Sequence, residues 1–191
     1  MKSTLCCLFS GFLLVLVVAC QEEKPPVPRS MGQVREIVLE RFQELDGFKL
    51  DKQTEVGLGA HSALRMEGSW THEGQPRRGI IYVIDHPQVF NIVHYTAPLE
   101  NDLFKAGQRQ FQEILRGLRS FRAQGPVSVS ERDGEKVMRN PDLQLEIRYP
   151  ADWAYTLDEV NRAVVFSGPK NDPAWLTTVS FSVVHKWREK S

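Results

Sequence analysis

The chain has 191 residues with 24 basic and 24 acidic side chains, the size and balance of a single globular domain. An even charge excludes a strongly basic nucleic-acid-binding domain. All three cysteines, Cys6, Cys7 and Cys20, fall at the start, so the remainder offers no thiol nucleophile, no disulfide and no Cys-rich zinc site.

Met1-Lys2 is a short positive start, Leu5 to Val18 is an apolar run, and Val17-Val18-Ala19 places small residues before Cys20. That is the layout of an export signal. An apolar run of about 15 residues is short of the roughly 20 that cross a hydrocarbon core. With a cysteine directly after the cut, the segment resembles a bacterial lipoprotein signal with its lipobox. The resemblance implies removal of residues 1–19, thioether lipidation of Cys20 and acylation of the new N-terminus. The membrane is then a partner through lipid, at about 0.8 kcal/mol per buried CH₂, on the extracytoplasmic face. Gln21 stands where inner-membrane members of the family often carry Asp. The expected address is therefore the outer membrane, facing the periplasm, in a two-membraned cell.

Gln21 to Ser30 (QEEKPPVPRS) has no apolar pattern and three prolines. Residues 20–30 read as a lipidated cysteine and an extended, Pro-rich tether. At about 3.3 Å per residue it spans up to about 30 Å.

Ser30 and Gln33 have capping-box spacing. Behind them Val34, Ile37, Val38, Phe42 and Leu45 mark one face of an amphipathic helix, with Gly47 placed as its C-terminal cap. From His61 to Thr71, Leu64, Met66 and Trp70 alternate with polar residues, which predicts a half-buried strand. A turn at His72–Pro76, a strand over Gly79–Asp85, a turn at Asp85-His86-Pro87 and a strand over Val89–Thr96 complete a three-stranded meander. Leu99–Phe121 is a second amphipathic helix, weakened at Gly107 by about 1 kcal/mol relative to Ala. Beyond Gly125-Pro126 the pattern is strand-like again. Short segments at Val127–Val129 and Lys136–Met138 flank Arg132-Asp133-Gly134, and alternation follows over Leu143–Tyr149. Then come a corner at Tyr149–Trp153, a short apolar segment at Ala163–Phe166, and alternation over Thr177–Val183. The two alternating stretches, Leu143–Tyr149 and Thr177–Val183, have the half-buried pattern needed to extend the meander's sheet.

Two stretches resemble pieces of PsbP-like and DcrB-like domains. Residues 33–121, ending in Phe111–Phe121 (FQEILRGLRSF), are similar to the later part of that family. Residues 143–184 are similar to its opening part, through the Tyr-Pro-x-x-Trp corner (YPADW) and the Phe166-Ser167-Gly168-Pro169 phrase. The pieces stand in reversed order. A circular permutation, a truncated tandem or an exchange of strands between copies would each produce it, and the single permuted domain over 31–191 is favoured. The resemblance implies an α+β fold, an antiparallel β-sheet packed by two amphipathic helices, and a non-catalytic role in binding or assembly.

Outside the leader the residues form no recognisable site. Histidines 61, 72, 86, 94 and 185 make no His-x-x-x-His or His-Glu-x-x-His pair. His86 and His94 share strand parity, but eight residues at about 3.4 Å each separate them too far for joint chelation. Ser69 lacks the Gly-x-Ser-x-Gly elbow, Gly57-Leu58-Gly59 reads as a β-turn, and Asp85-His86 is explained by turn chemistry. Trp70, Trp153 and Phe181 are expected in the core. Trp175, in the irregular Gly168–Trp175 loop, is the candidate partner contact, because exposed Trp is common at binding hot spots. The expectation is a lipid-anchored binding or assembly module of the cell envelope, with an envelope protein as partner and no catalytic residue, cofactor or metal. The alternative is a small-ligand or metal carrier held at the membrane.

Overall fold

The computed structural model describes residues 27–28, 30–99, 101–120, 125–158, 162–170 and 177–186. The signal segment, Cys20 and Trp175 lie outside these described residues. Pro28, just ahead of the first helix, is buried.

Helix α1 (Met31–Gln43) starts at the expected capping box. The Gln33 amide donates to Ser30 Oγ at 3.3 Å, and the Ser30 amide donates to Gln33 Oε1 at 3.2 Å. The helix ends at Gln43, earlier than the Gly47 cap predicts, and Gly47 serves a following turn at φ 64°. Four antiparallel strands come next: β1 (Lys49–Leu58), β2 (His61–His72), β3 (Gln75–Asp85) and β4 (Val89–Pro98). Strand β1 is an addition to the expected meander. Its sequence KLDKQTEVGL is exposed along most of its length, so it carries no alternation to read. As an edge strand rich in charge it resists further pairing.

Helix α2 (Asn101–Gly117) is shorter than the predicted 99–121, because Arg119–Ser120 turn into a two-residue strand, β5. The remaining strands are β6 (Ser128–Arg132), β7 (Glu135–Asn140), β8 (Leu145–Pro150), β9 (Ala154–Asp158), β10 (Ala163–Ser167) and β11 (Thr178–His185). Two sheets result. One runs β1-β2-β3-β4-β11-β10-β9, and the other runs β5-β8-β7-β6. Strand β11 extends the meander by pairing with β4, Val179 facing Tyr95 and Phe181 facing Val93. The Leu143–Tyr149 stretch does not join that sheet, contrary to its expected place. Half-buried alternation satisfies face-to-face packing as well as edge pairing, and β8 takes the former.

The seven-stranded sheet is covered on both faces. Val34, Val38 and Leu39 of α1 pack on one side against Leu64, Met66, Ile81 and Val83. On the other side Phe104, Phe111 and Ile114 of α2 join Leu145, Ile147 and Tyr149 of the small sheet over Ile80, Tyr82, Val93 and Phe181. Strand β3, apolar on both parities, is buried on both. Trp70, Trp153 and Phe181 are core residues as expected. The architecture is thus α+β, with antiparallel sheet and two helices. Among the described residues no helix is long and apolar enough to cross a membrane.

Candidate functional site

The β2–β3 hairpin brings two histidines together. Glu73 and Gly74, both at positive φ, form its two-residue turn, the conformation such hairpins need. The ladder pairs Ala63 with Ile84. Two residues further out, the same register sets His86 opposite His61, on the face that carries α2. The rings lie 5.1 Å apart between centroids, tilted by 43°. The β3–β4 turn that holds His86 is closed by its amide, which donates to the Val89 carbonyl at 3.0 Å.

Strand β4 adds Asn91, paired across the ladders with Ile84 and Val183. Its parity is that of Val93 and Tyr95, so its carboxamide points to the apolar side. It is 3 % exposed, and its Oδ1 has no hydrogen-bond partner. Leaving such an acceptor unmet costs about 1–3 kcal/mol.

Above these residues runs the C-terminal half of α2. Between helix and sheet lies a cavity of about 560 Å³, within the size range of small-molecule sites. Leu58, Ile84, Leu115 and Leu118 supply apolar wall. His61, His86, Asn91 and Gln112 supply polar groups, and Arg116 and Arg119 stand exposed at the rim. The Arg119 guanidinium donates to the Arg116 and Leu118 carbonyls at 3.1 and 3.3 Å. That anchors it at the helix end and leaves other donors of its five for a ligand. No carboxylate, hydroxyl or thiol side chain is found among the described residues lining the cavity.

Other predicted positions are dispersed. His86 and His94 do not share a side, despite their parity, because β4 begins only at Val89. His94 lies on the α1 face, its ring 4.9 Å from Phe42 and 5.8 Å from Trp70. Its Nε2 is shielded and without a hydrogen-bond partner. Burial first, and the Arg77 charge second, push its pKa down to about 4, so it is a neutral packing residue at physiological pH. A shallower cavity of about 420 Å³ opens beside it, lined in part by Arg41, Trp70 and Arg77. Asp85 pairs with Lys186 rather than with His86. Ser69 faces Lys49 and Arg78 on its neighbouring strands. Gly59 forms the β1–β2 turn at φ 61°, in keeping with the turn reading of Gly57-Leu58-Gly59. Among the described residues no group of three or more potential metal ligands converges.

Three of the cavity's groups, Asn91, Gln112 and the His61–His86 pair, were not singled out by sequence motifs. Asn91 does leave a trace: it is polar at a parity otherwise held by Val89, Val93 and Tyr95. Comparison with protein-family models, curated proteins and solved structures gives no match.

Proposed function

We propose that this chain is a lipid-anchored, non-catalytic binding protein of the cell envelope, and that it holds a small ligand in the cavity between α2 and the seven-stranded sheet. One observation carries the binding role: a cavity of about 560 Å³ bordered by Asn91, whose buried Oδ1 has no partner in the protein. An orphan acceptor is worth its cost where a ligand donates to it. The described lining offers no hydroxyl, thiol or carboxylate to work with its two imidazoles, which supports binding over group transfer. The envelope location rests on the Leu5–Cys20 pattern alone, and the PsbP-like assignment on the YPADW corner and the arrangement of helices on an antiparallel sheet.

The test is native mass spectrometry of the protein released gently from membranes. A small molecule retained by the wild type and held more weakly by Asn91→Leu supports the carrier role. Protein that is uniformly unliganded, and that no small-molecule library stabilises thermally, overturns it.

A second reading, assembly with an envelope protein, is favoured by strand β9. It ends the seven-stranded sheet and exposes Tyr155 and Leu157 at 39 % and 42 %, an edge that another strand can extend. Trp175 belongs to this reading as its proposed partner contact. Affinity capture that loses one specific protein on Leu157→Lys would favour it.

A further inference from the structure

We infer that the α2 cavity takes an amphipathic organic anion: a carboxylate head at the arginine rim, one O–H or N–H donor beside it, and an apolar body against the leucines. This rests on the small-ligand reading above and specifies its chemistry.

Charge is the first argument. Arg116 and Arg119 are the fixed charges among the described lining residues, with the imidazoles of His61 and His86 beside them, and none of those residues is acidic. The nearby acids stand outside this cavity: Glu113 and Glu135 line a separate pocket with Arg116 and Arg119, and Asp85 is taken up by Lys186. A cationic ligand would meet only repulsion there, and a neutral one would leave the rim unused. Two guanidiniums suit a planar carboxylate, which they can hold by charge-assisted hydrogen bonds.

Asn91 supplies the second argument. Its free oxygen can only accept, so the ligand must bring a hydrogen to it. A simple carboxylate cannot, whereas a hydroxy acid or an N-acyl amino acid can. Third, Leu58, Ile84, Leu115 and Leu118 give the site an apolar wall that a fully polar anion would leave wet. At about 30 Å³ for each water-sized group the space admits roughly 15 to 20 non-hydrogen atoms, room enough for a medium-chain hydroxy acid.

Calorimetric titration of the full chain in phosphatidylcholine nanodiscs, with empty nanodiscs as blank, tests this with four probes. 3-Hydroxydecanoate should bind. Decanoate, lacking the donor, should bind about tenfold more weakly, the worth of one hydrogen bond to a buried acceptor. 3-Hydroxybutyrate, lacking the body, and decylammonium, with the opposite charge, should not bind measurably. Asn91→Leu should melt higher than wild type without ligand and should bind the two decanoates equally. That rise in melting temperature excludes unfolding as the cause. Arg116→Gln with Arg119→Gln, both exposed, should abolish the preference for the anion.

Decylammonium binding as well as 3-hydroxydecanoate, or an Asn91→Leu protein that keeps its preference, would overturn the inference. So would failure of all four probes. If the protein nonetheless retains a neutral or cationic molecule in native mass spectra, the carrier reading survives and only the anion assignment falls.

Discussion

The Tyr95 hydroxyl occupies the space that a side chain on Gly107 would need: a Cβ there would come within 2.5 Å of it. The tyrosine cannot swing aside. Its ring stacks on Phe111 at 5.1 Å, and its hydroxyl donates to the Phe104 carbonyl at 2.8 Å. A glycine that costs helix propensity is thus what lets α2 lie close on β4.

Gly107→Ala should therefore destabilise the fold, against helix propensity. Overpacking costs about 1–3 kcal/mol, while alanine returns about 1 kcal/mol in the helix. Tyr95→Phe removes the clashing oxygen. The double variant should be more stable than the sum of the single losses allows, a coupling that denaturant melts would show. A Gly107→Ala protein more stable than wild type would contradict the close approach.

His94 predicts an acid-labile step. Its pKa falls from an ordinary 6.5 to about 4 in the folded protein, so the unfolded chain takes up the proton first. The stabilisation is fully present above pH 6.5 and is lost as the pH falls from there through about 4. At 1.36 kcal/mol per pH unit this amounts to about 3 kcal/mol. His94→Leu keeps an apolar group against Phe42 and Trp70 and should flatten the profile over that range. Urea melts at pH 7 and pH 4.5 check it. Equal losses in variant and wild type would show that carboxylates, not His94, govern the acid limb.

Cys20→Ala should block processing or release the protein from membranes. The proposed anchor is a covalent lipid, and among the described residues no helix can replace it. Radiolabelled palmitate incorporation, together with fractionation, reads both effects. A variant still cut after Ala19 and still resistant to detergent-free extraction would remove the lipoprotein reading. Co-fractionation of the wild type with inner-membrane markers would remove the outer-membrane address.

The sequence exposed what repeats and concealed what depends on contact at a distance. Ser30 and Gln33 announce α1 because both halves of the capping box lie within one turn. β1 gives no sign, since an edge strand exposed to water needs no alternation. The His61–His86 pairing was countable: a two-residue turn at Glu73-Gly74 sets residue 61 opposite residue 86. That count requires the strands to run on past their apolar cores, and Arg77 and Arg78 hide this. Asn91 looks ordinary in VFNIVHYT until β11 and α2 close around it. The choice of β11 rather than β8 to lengthen the sheet was not legible either, because both alternate.

That choice bears on whether the C-terminal third is an appendage. β11 lies between β4 and β10, so removing it bares the whole inner edge of the meander from Val89 to Thr96. The same cut strips Met138, Leu145, Ile147, Tyr149, Phe166 and Phe181 from the core that α2 shares. Each large apolar side chain contributes about 1.5–3 kcal/mol when buried, and a domain's whole stability is only about 5–15 kcal/mol. A fragment spanning residues 30–124 should accordingly be insoluble or molten, with helix signal retained but no sharp thermal transition. The full chain without its signal should melt once. Ultracentrifugation adds a second constraint, since an exchange of β9–β11 between copies would melt as cooperatively but sediment as a dimer. A monomer with one transition and a molten fragment fits a single domain. A cooperatively melting 30–124 fragment would show instead that α1, β1–β4 and α2 form a complete unit, and that the later strands are added to it.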